Sequence, residues 1–275
     1  MYFHIKRIIG YILGFILFYA PFTLFTKIVF YFYGKNVNDL SIHSICFRIQ
    51  IEHLIDGKIS SMDEAFLSSF IILLIISFFF GPIFCGKLCL AGAITEYLSK
   101  LIPDRYQFNW GNVIDITPIR YGMLMGYMIL PFFNGLLACN YCNFYLFDLF
   151  INYYIFGYYI SLTSSLIITT FLWIVVFGIF TNGGRGFCNF LCPVGAIQNL
   201  VHVLGQNFKF VNKLNISRFK CIGCKQCVKK CPMNSMKIID NKAVYNKYNC
   251  ILCDVCIDVC PVKAISYGKG KEHER

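Results

Sequence analysis

Cys221-Ile-Gly-Cys224-Lys-Gln-Cys227-Val-Lys-Lys-Cys231-Pro232 is followed 29 residues later by Cys250-Ile-Leu-Cys253-Asp-Val-Cys256-Ile-Asp-Val-Cys260-Pro261. Each run sets three cysteines at even spacing, then a fourth directly ahead of a proline. Three thiolates on so tight a loop wrap one face of a cube, and the fourth ligand must come from elsewhere in the chain. Pro232 and Pro261 end the loops, since proline has no N–H to donate and a fixed φ. Gly223 permits a tight turn where backbone and cluster approach closely. Zinc sites ordinarily use two separated cysteine pairs or histidine, and no histidine lies between Cys221 and Pro261. The spacing therefore predicts two [4Fe-4S] clusters.

This double run resembles that of bacterial two-cluster ferredoxins, in which the fourth cysteine of each run serves the other cluster. The resemblance implies one cluster on Cys221, Cys224, Cys227 and Cys260, and a second on Cys250, Cys253, Cys256 and Cys231. It also implies a small α+β domain, placed at 205–275.

The rest of the chain has another character. Of 275 residues 57% are hydrophobic and 14% charged, with 15 cysteines, against about 45–50% and about 25% in an average soluble domain. The chain is too long, and its cysteines too clustered by motif, for a disulfide scaffold. Low charge and many aromatic residues exclude disorder. The net charge of +11 is uneven: from Gly205 to Arg275 there are 14 Lys or Arg against five Asp or Glu. Eight thiolates on two anionic clusters partly compensate that excess, so no nucleic-acid partner is needed. Lys225, Lys229 and Lys230 are candidates for docking an acidic electron carrier or anionic lipid, or form an ordinary solvated face.

Four apolar stretches reach the roughly 20 residues that a transmembrane helix requires: about 8–25, 65–84, 121–138 and 162–180. They predict an all-α membrane domain over 1–204, in the lipid bilayer of the inner membrane. The excess of Lys and Arg on alternate connections places both termini in the cytoplasm.

An internal repeat agrees with that parity. Phe84-Cys-Gly-Lys-Leu-Cys-Leu-Ala-Gly-Ala-Ile94 matches Phe187-Cys-Asn-Phe-Leu-Cys-Pro-Val-Gly-Ala-Ile197 at seven of eleven positions. Cys85, Cys89, Cys188 and Cys192 are thus candidate ligands of a further iron–sulfur centre, each pair facing one way at i and i+4 on a helix. Small buried packing residues are the competing reading. Cys139 and Cys142, expected near the outer face, form a redox dithiol, a disulfide, a ligand pair or packing residues. Cys46 reads as a lone packing thiol. Asp148 is an acid in apolar surroundings, hence a proton-relay candidate. No Cys-x2-Cys-His, Walker sequence or Gly-x-Gly-x-x-Gly is present.

The four predicted spans, the two Cys-x3-Cys motifs and the double ferredoxin run together resemble the NapH-type polyferredoxins, which are four-span membrane proteins with a ferredoxin tail. Cys192-Pro193 keeps the family's usual proline, while Cys89-Leu90 departs from it. The resemblance implies electron transfer between a quinol pool and a soluble ferredoxin-like or other redox protein, as a subunit of a larger redox complex rather than a stand-alone enzyme. The competing readings are an accessory reductase of metals or thiols and an iron–sulfur sensor or anchor without turnover.

Overall fold

Among the described residues, the long helices all lie before Gln206 and the four strands all lie beyond it, with two short helices between them. The computed structural model describes residues 2–19, 22–34, 61–132, 139, 141–157 and 163–269. The helices are α1 (Tyr2–Phe18), α2 (Leu24–Phe32), α3 (Ser61–Phe80), α4 (Leu90–Ser99), α5 (Ile116–Ile129), α6 (Asn143–Phe156), α7 (Ser164–Phe171), α8 (Gly186–Phe190) and α9 (Pro193–Gly205). A π-helical turn, Phe84–Leu88, precedes α4, and a π-helical stretch, Leu172–Ile179, continues α7. Beyond them lie β1 (Asn212–Ile216), α10 (Gln226–Lys229), β2 (Met236–Ile239), β3 (Lys242–Tyr245), α11 (Val255–Asp258) and β4 (Ile265–Lys269).

The four-span bundle expected from the apolar runs does not form: among the described residues no helix is long and apolar enough to cross a membrane. The runs are apolar, but their backbone is interrupted. The first breaks where α1 ends at Phe18 and Thr23 turns left-handed at φ 40°. The helix of the second begins at Ser61, has Asp63 and Glu64 in its sequence ahead of the apolar part, and stops at Phe80, before Gly81 at φ 80° and Pro82. Its apolar part, Phe66 to Phe80, spans only about 23 Å at 1.5 Å per residue, against about 30 Å of hydrocarbon. In the third, the 14-residue helix Ile116–Ile129 tightens into a 3-10 turn at Leu130–Phe132, and 133–138 lie outside the described residues. The fourth changes from α to π winding at Leu172. The expected multi-pass placement in the inner membrane, with both termini cytoplasmic, rested on those spans and falls with them. Much of the apolar excess stays on the surface, as with Ile5, Ile8, Ile9 and Ile12 on α1 and Ile71, Ile75 and Ile76 on α3.

Local chemistry sets the helix ends that matter for the sites. Asp115 caps α5 by accepting from the Thr117 N–H at 3.3 Å, one of the otherwise unpaired donors of a first turn. Pro193 takes the first position of α9, where its missing N–H costs nothing. In the last quarter, β1 pairs antiparallel with β4, Leu214 opposite Tyr267, and β2 pairs antiparallel with β3, Ile238 opposite Ala243. The β1–β4 pair closes the ends of this segment, so both cysteine runs lie within one ring.

α9 packs on α3 and α5, α1 on the π turn, and α4 on the π stretch. One apolar core runs from Phe18, Tyr19, Leu73, Phe84 and Phe144 into Met233, Ile251 and Leu252 of the cysteine-rich segment. The Tyr267 hydroxyl donates to the Phe80 carbonyl at 2.8 Å, and Asn189 Nδ2 to the Met233 carbonyl at 3.1 Å.

Candidate metal centres

The two ferredoxin runs line two separate voids. Cys221, Cys224, Cys227 and Cys260 line one. Cys231, Cys250, Cys253 and Cys256 line the other. Cys260 thus lies with the three cysteines of the first run and Cys231 with those of the second, the grouping that the resemblance to two-cluster ferredoxins implies. Among the described residues no three His, Cys, Asp or Glu side chains converge on a single-ion site. Thiols that ring a space instead of meeting at a point fit a polynuclear group.

The backbone of the two cradles is duplicated in detail. Gly223 and Leu252, in corresponding places, take φ of 69° and 52°; Lys225 and Asp254 take 63° and 62°; Asn234 and Lys263 take 49° and 48°. Five of these six are not glycine, so the left-handed turns are held by their surroundings at a conformational cost. Backbone N–H groups also point at sulfur. The Ala243, Ser235 and Ala264 N–H groups donate to the Sγ atoms of Cys221, Cys231 and Cys260 at 3.3, 3.4 and 3.3 Å. Such donors favour the thiolate that an iron cluster requires. Burial pushes the Cys253 thiol up to about 12, and Cys250 and Cys256 also rise chiefly by burial.

The internal repeat builds a third void, lined by Cys85, Cys89, Cys188 and Cys192 with Arg120, Arg185 and Ile251 among its other walls. The two copies fold alike. The Cys89 N–H reaches back five residues to the Phe84 carbonyl at 2.7 Å, and the Cys192 N–H to the Phe187 carbonyl at 3.1 Å. Cys89 and Cys192 then precede α4 and α9 with nearly equal angles, φ/ψ of −72/104° and −71/112°. One expectation is corrected here. Each pair does not ride one helix at i and i+4; the second cysteine of each is extended and opens the next helix.

Beside this void lies a buried ion network that the residue patterns did not reveal. Arg7 grips Glu96 with two bonds, Nη1 to Oε1 at 2.6 Å and Nη2 to Oε2 at 2.9 Å. Arg185 donates Nε to Glu96 Oε2 at 2.8 Å and Nη1 to the Cys85 carbonyl at 2.7 Å. Burial pushes the Glu96 carboxyl up, but Arg185 and Arg7 overcome it and hold the group at about 2. The available signal was Gly183-Gly184-Arg185-Gly186, a charge among glycines three residues ahead of Cys188.

Cys142 opens α6, and the next two residues, Asn143 and Phe144, line the third void. Cys142 therefore packs in the same core as Cys89 and Cys188, not on an opposite face as expected. Its N–H donates to the Cys139 carbonyl at 3.0 Å. Asp148, 3% exposed, accepts from Asn152 Nδ2 at 3.1 Å. Cys46 lies outside the described residues.

Comparison with known proteins agrees with this geometry. Residues 220–269 match the family described as 4Fe-4S dicluster domain, and residues 63–109 and 165–211 each match that described as 4Fe-4S binding domain. The chain is similar to the protein of Escherichia coli (strain K12) named "Putative electron transport protein YccM", 23% identical over 65% of this chain and 49% of that protein. Two proteins of Methanocaldococcus jannaschii are also similar. MJ0749 is 24% identical over 59% of this chain and 56% of its own length, and MJ0750 is 23% identical over 69% and 73%. The chain thus spans about half the length of YccM and of MJ0749. No solved structure matches. Voids, cradles and matches together define an iron–sulfur protein with 4Fe-4S domains of ferredoxin type.

Proposed function

We propose that this protein relays single electrons between a soluble carrier and a second redox partner, through clusters held by its two ferredoxin runs. Cys221, Cys224, Cys227 and Cys260 hold the first cluster; Cys250, Cys253, Cys256 and Cys231 hold the second. The observation that carries this reading is the pair of voids, each lined by the cross-exchanged quartet and cradled by the same left-handed turns. The name of the E. coli relative, an electron transport protein, points the same way.

The first void lies nearer the surface. Cys224 is exposed, as are Ile222, Lys225, Lys229 and Lys230 around it, whereas Cys253 of the second void is buried. Apolar contact ringed by lysines suits an acidic carrier, since charge complementarity steers encounter and orientation. The redox chemistry belongs to the clusters when bound. The chain supplies position, N–H donors to sulfur and exclusion of water.

The test is anaerobic reduction of the full chain by a reduced soluble ferredoxin, followed by reoxidation with a quinone analogue or a higher-potential protein acceptor. Reduction and reoxidation on a seconds timescale are expected. Cys260→Ser should remove the signal of the first cluster and keep that of the second, although Cys260 lies in the second run. Loss of only the second signal, or no reoxidation by any acceptor, would overturn the reading.

A further inference from the structure

Resting on the electron-relay reading, we infer that Cys139 and Cys142 are a redox dithiol, at which relayed electrons leave the chain in pairs to reduce a disulfide of a partner molecule. Twelve of the fifteen cysteines lie in the stretches matched by 4Fe-4S families, eight in the two ferredoxin runs and four around the third void. Four thiolates to each cubane account for all twelve. Cys139 and Cys142 fall between the matched stretches 63–109 and 165–211, so cluster ligation there does not claim them.

The backbone brings the pair together. The Cys142 N–H donates to the Cys139 carbonyl at 3.0 Å, and a turn closed between residues i and i+3 holds their Cα atoms within about 7 Å. A disulfide takes about 4.4–6.8 Å, so closing and opening the bond needs little backbone movement. Both residues are half-buried, within reach of a partner, whereas a packing thiol is ordinarily fully enclosed. Cys142 is extended, with φ/ψ of −104/115°, directly ahead of the 14-residue helix α6. Free N–H groups at the start of such a helix favour negative charge, and the thiolate is the form that attacks a disulfide.

Cys142 also stands next to the interior sites. It packs in the core that holds Cys89 and Cys188, and the two residues after it, Asn143 and Phe144, line the third void. Negative charge on Cys142 raises the Cys192 thiol, second only to burial. Tyr19 is fully buried, with its ring centroid 4.7 Å from that of Phe144 and its hydroxyl 3.7 Å from Cys89 Sγ. Ile251 lines both the third void and that of the second ferredoxin run. The second void, Ile251, the third void and Cys142 thus form a continuous series.

A disulfide takes up two electrons, and iron–sulfur groups pass them singly. Two reduced ferredoxins each lose one electron; the Cys139–Cys142 S–S bond gains both, with two protons, and opens to two thiols. One thiolate of the pair then attacks a sulfur of the partner's disulfide and forms a mixed disulfide. The other cysteine attacks across that bond and closes Cys139–Cys142 again, while both protons pass to the partner's two sulfurs.

The full chain, loaded anaerobically with iron and sulfide, is equilibrated with oxidised glutathione and given reduced ferredoxin; free thiols are then alkylated and mapped by mass spectrometry. Cys139 and Cys142 should be protected before the electrons arrive and alkylated afterwards, and prior removal of iron should leave the pair closed. Cys139→Ser with Cys142→Ser should keep the iron, the paramagnetic signals and reduction by ferredoxin, which shows that the variant folds. Its reduction of oxidised glutathione should fall to the rate without protein. Reduced methyl viologen, a one-electron donor that needs no docking surface, separates the two readings. If it opens the pair where ferredoxin does not, the carrier assignment fails and the dithiol stands. A pair that stays closed with methyl viologen overturns the dithiol. So do a pair alkylated from the outset, loss of iron from the double variant, or unchanged glutathione reduction by it.

Discussion

Replacing Glu96 with Gln tests the buried ion network without altering a thiol. Glu96 accepts three bonds, two from Arg7 and one from Arg185, and both arginines are almost fully buried. The carboxyl sits at about 2, against 4.5 for the free side chain. At 1.36 kcal/mol for each tenfold change in proton affinity, that amounts to about 3 kcal/mol of stability at neutral pH. Breaking a buried pair by removing one partner costs about 3–5 kcal/mol, so two independent routes agree. A loss of about 3 kcal/mol corresponds to a fall in Tm of roughly 6–12 °C for a chain of this size. The sign with pH follows from the lowered carboxyl: the stabilisation is complete above about 4.5 and lost as pH falls toward about 2. The assay is thermal unfolding of the iron-loaded chain by far-UV circular dichroism at pH 7. Arg7→Met and the double variant then complete a cycle. A fall in Tm below about 2 °C for Glu96→Gln, or strictly additive single effects, would refute the reasoning.

Gly86→Ala should destabilise by about 1–3 kcal/mol through overpacking, because its Cβ would meet the Ile251 carbonyl; the denaturant midpoint measures this. In the metal-free chain, burial holds Cys188, Cys192 and Cys253 near 12 against 9.0 for a free thiol. Unfolded thiols therefore ionise first, and apo stability should fall as pH rises from about 9 toward 12, whereas the iron-loaded chain should not show that loss. Urea midpoints collected across that range decide it. Stripping iron should also speed amide hydrogen exchange at 221–231 and 250–260, since five non-glycine residues there and in the turns that follow hold left-handed φ without intrinsic preference.

How far the sequence disclosed this molecule varies with the kind of signal. The grouping of cysteines around the two voids of the last quarter was legible because chemistry fixes spacing there: three thiols and a Cys-Pro leave little freedom. The third void was legible only as a repeat, since the joining of Cys85 with Cys188 depends on a contact spanning about a hundred residues. The apolar runs misled for a physical reason. Hydropathy sums side chains over a window, and it does not register a left-handed Thr23, a Pro131 turn or the change to π winding at Leu172. The buried charges stayed hidden for the opposite reason. Arg7 reads as the basic flank of an apolar run, and Glu96 as a surface acid on α4, until the fold brings them together with Arg185.

The exchange of fourth ligands proposed above would also order events during synthesis. Reading from the N-terminus, the set around the second void is complete once Cys256 has been made, because Cys231 is already there. The first void, begun 35 residues earlier at Cys221, waits for Cys260. The site started first is thus finished last, and the two become competent within four residues of each other. A chain stopped before Cys256 has neither cradle complete, and one stopped between Cys256 and Cys260 has only the second, so a stalled or shortened product does not accumulate with the exposed cluster loaded and the buried one empty.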